Sequence, residues 1–174
     1  MTSTIRPYTG LKEGYAGGRR PGLELLANGI QYLTAGRIWN NGTYGLRPNK
    51  SNATIPSVHC TGRAADLSRR QYNGHAGSGR DFMLVLIDAL TANADEIGLE
   101  LVIDYEHAPH GRIWSCTRNA WEDCAPGYIA GAGGDWIHIE IDPVHANDAK
   151  LIEKAWPALV GATTPKKAPA KKKV

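Results

Sequence analysis

The sequence predicts an α+β fold, a small antiparallel sheet with flanking helices, and three observations carry that prediction. Phe82, Val85, Leu86, Leu90 and Ile97 recur at helical spacing, whereas Ile137, Ile139 and Ile141 alternate with His138 and Glu140 at strand spacing. Asn40-Asn41-Gly42 has the chemistry of a tight turn between strands. Helices and strands thus mix without the regular alternation of a doubly wound parallel sheet.

Taken in order, residues 1–21 are rich in Gly, Arg, Thr and Pro, lack periodicity, and read as an irregular N-terminal arm. Leu23, Leu26, Ile30 and Leu33 predict a first helix ending near Gly36. Arg37–Trp39 and Thr43–Gly45 flank the Asn-Asn-Gly turn and predict a hairpin of two short strands. The stripe from Phe82 predicts a second helix, with Ser78 as its N-cap and Gly98 as its terminator. Leu99–Tyr105 and Gly111–Ser115 read as strands joined by a turn at His107-Ala-Pro-His-Gly. A third strand spans Trp136–Ile141, and its alternation turns His138 away from the face that the isoleucines bury. Asp148–Leu159 predicts a last helix interrupted at Pro157, so that one domain occupies residues 22–160.

With 42% hydrophobic and 21% charged residues among 174, the chain has the balance of a globular domain that folds without disulfide staples. The net charge of +3 is misleading. The last ten residues hold five lysines and no acid; without them 15 basic residues face 17 acidic ones, and the body carries −2. The Lys/Pro/Ala segment 161–174 is expected to be a disordered tail. Lys166, Lys167 and Lys171–Lys173 suit an anionic polymer or nucleic acid by counterion release, or solubility alone, and no aromatic residue interleaves them as a stacking platform. No stretch is long and apolar enough for a membrane span, and Met1–Gly18 lacks the apolar run of a secretory signal, so the expectation is synthesis as a soluble protein in a cytoplasm. Cys60, Cys116 and Cys124 match no zinc-finger spacing; Cys116 and Cys124 have the separation of a loop disulfide or of two free thiols.

The chemistry concentrates in two segments. Ser57-Val-His-Cys-Thr-Gly-Arg-Ala-Ala-Asp66 pairs an imidazole with a carboxylate, and Gly62, Ala64 and Ala65 let the backbone pack closely between them. A catalytic zinc needs a third protein ligand, and Gly133-Gly-Asp-Trp-Ile-His-Ile-Glu140 offers His138 from the polar face of a strand, with Asp135 three residues before it. Glu140 shares the strand face of His138 and is a second nearby carboxylate. Trp136 lies between Asp135 and His138 and is the tryptophan expected in a cleft, whereas Trp114 and Trp121 are expected to pack. Ser57 has no base-and-orienter pair and is expected to hold the metal loop or touch substrate. His107 and His110, in a Pro-Gly turn, are expected to be solvated.

The pattern Ser-x-His-x-x-Gly-x-Ala-x-Asp, matched by Ser57, His59, Gly62, Ala64 and Asp66 and followed by acid-x-x-His, resembles the signature of the zinc D-alanyl-D-alanine carboxypeptidase and L-alanyl-D-glutamate peptidase family, over about Leu23 to Ile141. That family includes many phage endolysins and shares a fold with the hedgehog signalling domain. The resemblance implies zinc on His59, Asp66 and His138, a catalytic acid at Asp135 (commonly Glu in the family), and an upstream arginine facing the oxyanion or the substrate carboxylate. Arg47 occupies the matching region, with Arg37 and Arg63 as alternatives. It implies hydrolysis of peptidoglycan stem peptides at bonds involving D-amino acids. Without a signal, such an enzyme would reach the wall by lysis, by a separate export route or on a phage particle. The rival readings are a non-catalytic zinc-binding module on the same fold and a nucleic-acid binder built on the tail.

Overall fold

In the computed structural model, which describes residues 4–69 and 79–163, helix α1 runs Pro21–Leu33, with its proline at the first helical position, where a missing N–H costs nothing. Leu23, Leu26, Ala27 and Ile30 form its buried stripe. Gly36 follows in the left-handed region at φ 77°, as the predicted ending requires.

The hairpin predicted at Asn40-Asn41-Gly42 does not form. Trp39–Gly42 is itself a strand, β1, paired antiparallel with β2, Ala64–Ser68, in the register Trp39↔Ser68, Asn40↔Leu67, Gly42↔Asp66. The register slips between Asn40 and Gly42, where Asn40 Oδ1 accepts from the Gly42 N–H at 2.9 Å and Gly42 takes φ 140°. The Asn-Asn-Gly chemistry therefore makes a bulge against a partner some 25 residues on, rather than a reverse turn.

Helix α2, Gly79–Ala92, buries Met83, Leu86, Ile87, Ala89 and Leu90, while Val85 is exposed; its core stripe is turned slightly from the predicted one. The helix ends at Ala92, before Gly98, and Asn93–Gly98 form turns that still bury Ala94 and Ile97. Ser78 lies outside the described residues. Strands β3, Leu99–Asp104, β4, Arg112–Ser115, and β6, Trp136–Ile141, match the prediction closely. Strand β5, Ala120–Asp123, was not expected: Glu122 and Asp123 are exposed on a sheet edge, so no apolar alternation marks it.

After β6, Asp142 Oδ1 accepts from the His145 N–H at 2.9 Å and caps a short helix α3, Pro143–Asn147. Helix α4, Ala149–Thr163, runs through Pro157 rather than breaking there. Pro157 sits on the exposed side, as does Glu153, whose carbonyl loses its helical donor and can turn to water, while Ile152, Ala155 and Leu159 keep the buried stripe intact.

The strands form one six-stranded sheet in the order β1-β2-β6-β3-β4-β5, antiparallel throughout. Ala65, Leu67, Val102, Trp114, Ile137, Ile139 and Ile141 join Leu23, Leu26, Ile30, Leu86, Leu90 and Ile152 of the helices in one apolar cluster. The opposite face carries Asp66, His138, Glu140 and Ile103, and is covered in part by the N-terminal arm. The arm is irregular, as expected, yet firmly attached: Arg6 N–H bonds to the Cys116 carbonyl at 3.0 Å, and Thr9 Oγ1 to Glu100 at 2.8 Å. The three cysteines are free thiols. No helix among the described residues is long and apolar enough to cross a membrane. The lysines of the tail, 166–173, lie outside the described residues.

A candidate metal centre

Ser57, extended at φ −73° and ψ 149°, caps a single 3₁₀ turn, Val58–Thr61, by accepting from the His59 N–H at 3.4 Å. Gly62 closes the turn at φ 68°, and a Cβ there would lie 2.9 Å from the Gly18 carbonyl oxygen, so only glycine fits both the backbone and the space. His59 is thereby fixed beside β2. Asp66 at the centre of β2 pairs directly with His138 of β6, which pairs on its other side with Ile103 of β3. Cross-strand partners share a face, so Asp66 and His138 stand side by side.

The result is a tight group. His138 Nδ1 lies 3.0 Å from Asp66 Oδ1, His59 Nε2 lies 3.2 Å from Asp66 Oδ2, and the two imidazole centroids are 5.0 Å apart at 65°. Ligand atoms about 2.0–2.1 Å from a tetrahedral zinc are separated by about 3.3 Å; the two contacts to Asp66 are of that size but run to different oxygens, and one ligand atom from each of the three residues lies within 4.8 Å of the others. His59 Nε2 is buried and makes no well-directed hydrogen bond despite its proximity to Asp66. An unpaired buried ring nitrogen aimed at a carboxylate and a second imidazole is what a metal ligand looks like without its ion. Among the described residues, these three could hold a metal ion, and the donor set of two imidazoles and a carboxylate suits zinc.

The electrostatics agree with the grouping. Burial pushes the His59 pKa down, favouring the neutral, ligating form. Burial would lower His138 too, but its hydrogen bonds to Asp66 and Glu140 outweigh that and raise it to about 9. Burial would raise Asp66, yet the hydrogen bond with His138 and the close His59 imidazole hold it far below the ordinary carboxylate range. The second ring nitrogen of His138, Nε2, meets Glu140 Oε1 at 2.9 Å.

A cavity of about 780 Å³ opens over the group, lined among others by Arg47, Lys50, Ser57, Tyr105, Trp136 and Glu140. Arg47 Nη2 reaches Asp66 Oδ2 at 2.8 Å, with its side chain half exposed. Arg37 stacks on Phe82 and Arg63 is buried in an ion pair with Glu100, so neither alternative cation lines the cavity. Trp136 stacks on Tyr105 with centroids 4.5 Å apart, while Lys50 Nζ lies 5.2 Å above its ring. The Ser51 hydroxyl accepts from the Ala130 N–H at 3.1 Å, tying together the loops on either side of the mouth. As expected, Trp114 lies in the core and Trp121 packs against it.

Asp135 stands apart from this set. It is partly exposed and shares the parity of Ile137; its main-chain carbonyl accepts from the Arg69 N–H at 3.0 Å, and it is not among the cavity-lining residues. Lys50, Tyr105 and Tyr8 were missed from the sequence. Tyr105 continues the Leu101, Ile103 alternation and was recoverable in principle, whereas Tyr8 reaches Glu140 across 132 positions and carried no local signal. His107 pairs with Asp123 at 3.1 Å, consistent with its turn position outside the metal group. Comparison with family models, with curated proteins and with solved structures gave no match. Fold and site thus define an α+β protein with a buried His-Asp-His group fitted for a metal ion.

Proposed function

We propose that the protein is a zinc-dependent peptidase of the hedgehog/DD-peptidase fold family, acting on peptidoglycan stem peptides at bonds involving D-amino acids, as a phage lysis enzyme or a particle-borne wall hydrolase. The observation that carries the metal part is the 3.0 and 3.2 Å convergence of His138, Asp66 and His59 under an open cavity. The sequence resemblance supplies the substrate class.

His59, Asp66 and His138 would hold zinc, which supplies Lewis acidity toward a carbonyl and acidifies water. The chain's own groups do the rest. Arg47 at the cavity edge binds the substrate carboxylate or the oxygen on which negative charge develops. Trp136 and Tyr105 form an apolar wall for the peptide. The resemblance assigns Asp135 the role of taking a proton from the attacking water and passing it to the leaving nitrogen, while Glu140 is committed to His138 and Tyr8.

A second reading, a non-catalytic zinc-binding module, is favoured by one observation: Asp135 does not line the cavity. One experiment separates the two. Purified full chain is freed of metal, reloaded with zinc and given peptidoglycan, and the products are read by mass spectrometry. Hydrolysis should vanish with chelation and return with zinc. Asp135→Asn should keep zinc and lose about 10²-fold or more in turnover, with Asp135→Glu less affected. Zinc binding without hydrolysis of any muropeptide supports the module, and full activity in metal-free protein sinks the metal mechanism. If Asp135→Asn stays near wild type while zinc-loaded Glu140→Gln is dead, Glu140 is the base.

A further inference from the structure

Glu140 is buried on the second face of the sheet, where one carboxylate oxygen meets His138 Nε2 at 2.9 Å and the other accepts from the Tyr8 hydroxyl at 2.5 Å. Tyr8 belongs to the N-terminal arm, which is pinned at three successive residues. Beside the Tyr8–Glu140 bond, Thr9 donates to Glu100 from both its N–H (3.1 Å) and its hydroxyl (2.8 Å), and the Gly10 carbonyl accepts from Arg63 Nη2. Gly10 takes φ 52°, and a Cβ there would lie 2.8 Å from the Tyr8 ring, so the backbone lies flat against the phenol and holds it. The glycine gives the arm a path that delivers one hydroxyl to one buried carboxylate.

We propose that Tyr8 is a positioning residue for the metal centre: its hydrogen bond fixes Glu140, which takes the Nε2–H of His138, so that Nδ1, the nitrogen facing Asp66 and His59, is the one that would bind the metal. This inference rests on the zinc reading of the three ligands. The physical argument is one of tautomer and orientation. An imidazole ligates through whichever nitrogen carries no proton, and a carboxylate on the other nitrogen selects that form and fixes the ring plane. A glutamate with a rotatable terminal carboxyl does this only if its second oxygen is held, and the described residue that holds it is Tyr8. The irregular arm is therefore part of the site, acting through Glu140 rather than at the ligand atoms.

The test is zinc affinity of the full chain, measured by competition with a chromogenic chelator, alongside the melting temperature of the metal-free protein. Tyr8→Phe keeps the ring packing and removes one oxygen. It should weaken zinc binding about 10-fold, near the lower end of the effect of losing an outer partner of a ligand, while the metal-free melting temperature changes little. Glu140→Gln should weaken it at least as much, and the double variant should lose no more than Glu140→Gln alone, because both residues act through one path. The d–d spectrum of the cobalt(II)-loaded protein should change in Tyr8→Phe. Unchanged affinity and spectrum in Tyr8→Phe, or additive losses in the double variant, would overturn the proposal while leaving the zinc reading intact. Failure of the wild-type chain to bind zinc would overturn both.

Discussion

Arg63 has no solvent exposure and its partner Glu100 is 1% exposed, a buried ion pair at 3.1 Å. Nη1 also reaches the Ile141 carbonyl at 2.8 Å and Thr9 Oγ1 at 2.9 Å, so the guanidinium joins β6, β3 and the arm. Taking both charges from water is costly, and the pair holds because its hydrogen bonds are nearly complete; removing one partner strands the other. Arg63→Met keeps volume and should lower stability by about 3–5 kcal/mol in urea unfolding of the metal-free protein, and adding Glu100→Leu should recover part of that loss. Recovery of nothing would show that the arm, not the stranded carboxylate, carries the cost. The sequence weighed Arg63 only as a substrate cation, because an arginine between a metal motif's glycine and alanines carries no mark of burial. His59, Asp66 and His138 were legible for the opposite reason. Two of them sit seven residues apart in one motif, and strand alternation places the third.

At the scale of elements, Asp104 at the end of β3 clamps two neighbours. Its carboxylate takes a bidentate pair from Arg80 of α2 at 2.8 and 2.9 Å and a third bond from Arg112 of β4 at 3.1 Å. Burial would raise its pKa, but the Arg80 bonds and charge, then those of Arg112, hold it below the ordinary value. A carboxylate depressed in the folded state binds its proton less readily there than in the unfolded chain. Its contribution is present above the unfolded value of about 3.9 and is lost as pH falls through the folded one. Asp104→Asn should therefore flatten the acid limb of the stability curve and cost about 2–4 kcal/mol near neutrality, less than a fully buried pair because both arginines are partly exposed. An acid limb identical to wild type would remove Asp104 from the account. The elements read correctly from sequence, α1, β3, β4 and β6, have strong local periodicity or clear terminators. Strands β1 and β5 were misread or missed because pairing decides them: β1 finds β2 far along the chain, and β5 is an edge with charged residues outward.

In the whole molecule the sheet works as a plate with two different faces. Helices α1, α2 and α4 cover one with a continuous apolar cluster, and the other carries the ligands beneath the arm and the 43–62 loop. Of the candidate ligands, Asp66 and His138 stand on strands whose opposite face is already packed and His59 on the 3₁₀ turn beside β2, so the core should not depend on metal, unlike a zinc finger. The metal-free protein should unfold cooperatively, and zinc at about 100 times its dissociation constant should add about 2.7 kcal/mol by mass action, some 5–10 °C in a domain of this size. The two faces should also separate in mutants. Leu90→Ala, in the core, should destabilise the metal-free and zinc-loaded forms alike, by about 2–5 kcal/mol for the cavity left by leucine, and leave the zinc-induced shift unchanged. Asp66→Asn should abolish the shift, and it should lower the metal-free melting temperature only by the loss of its own bonds with His138 and Arg47. Loss of the zinc shift in Leu90→Ala, or a metal-free chain with no cooperative transition, would mean that the ligands help to build the core rather than stand on it.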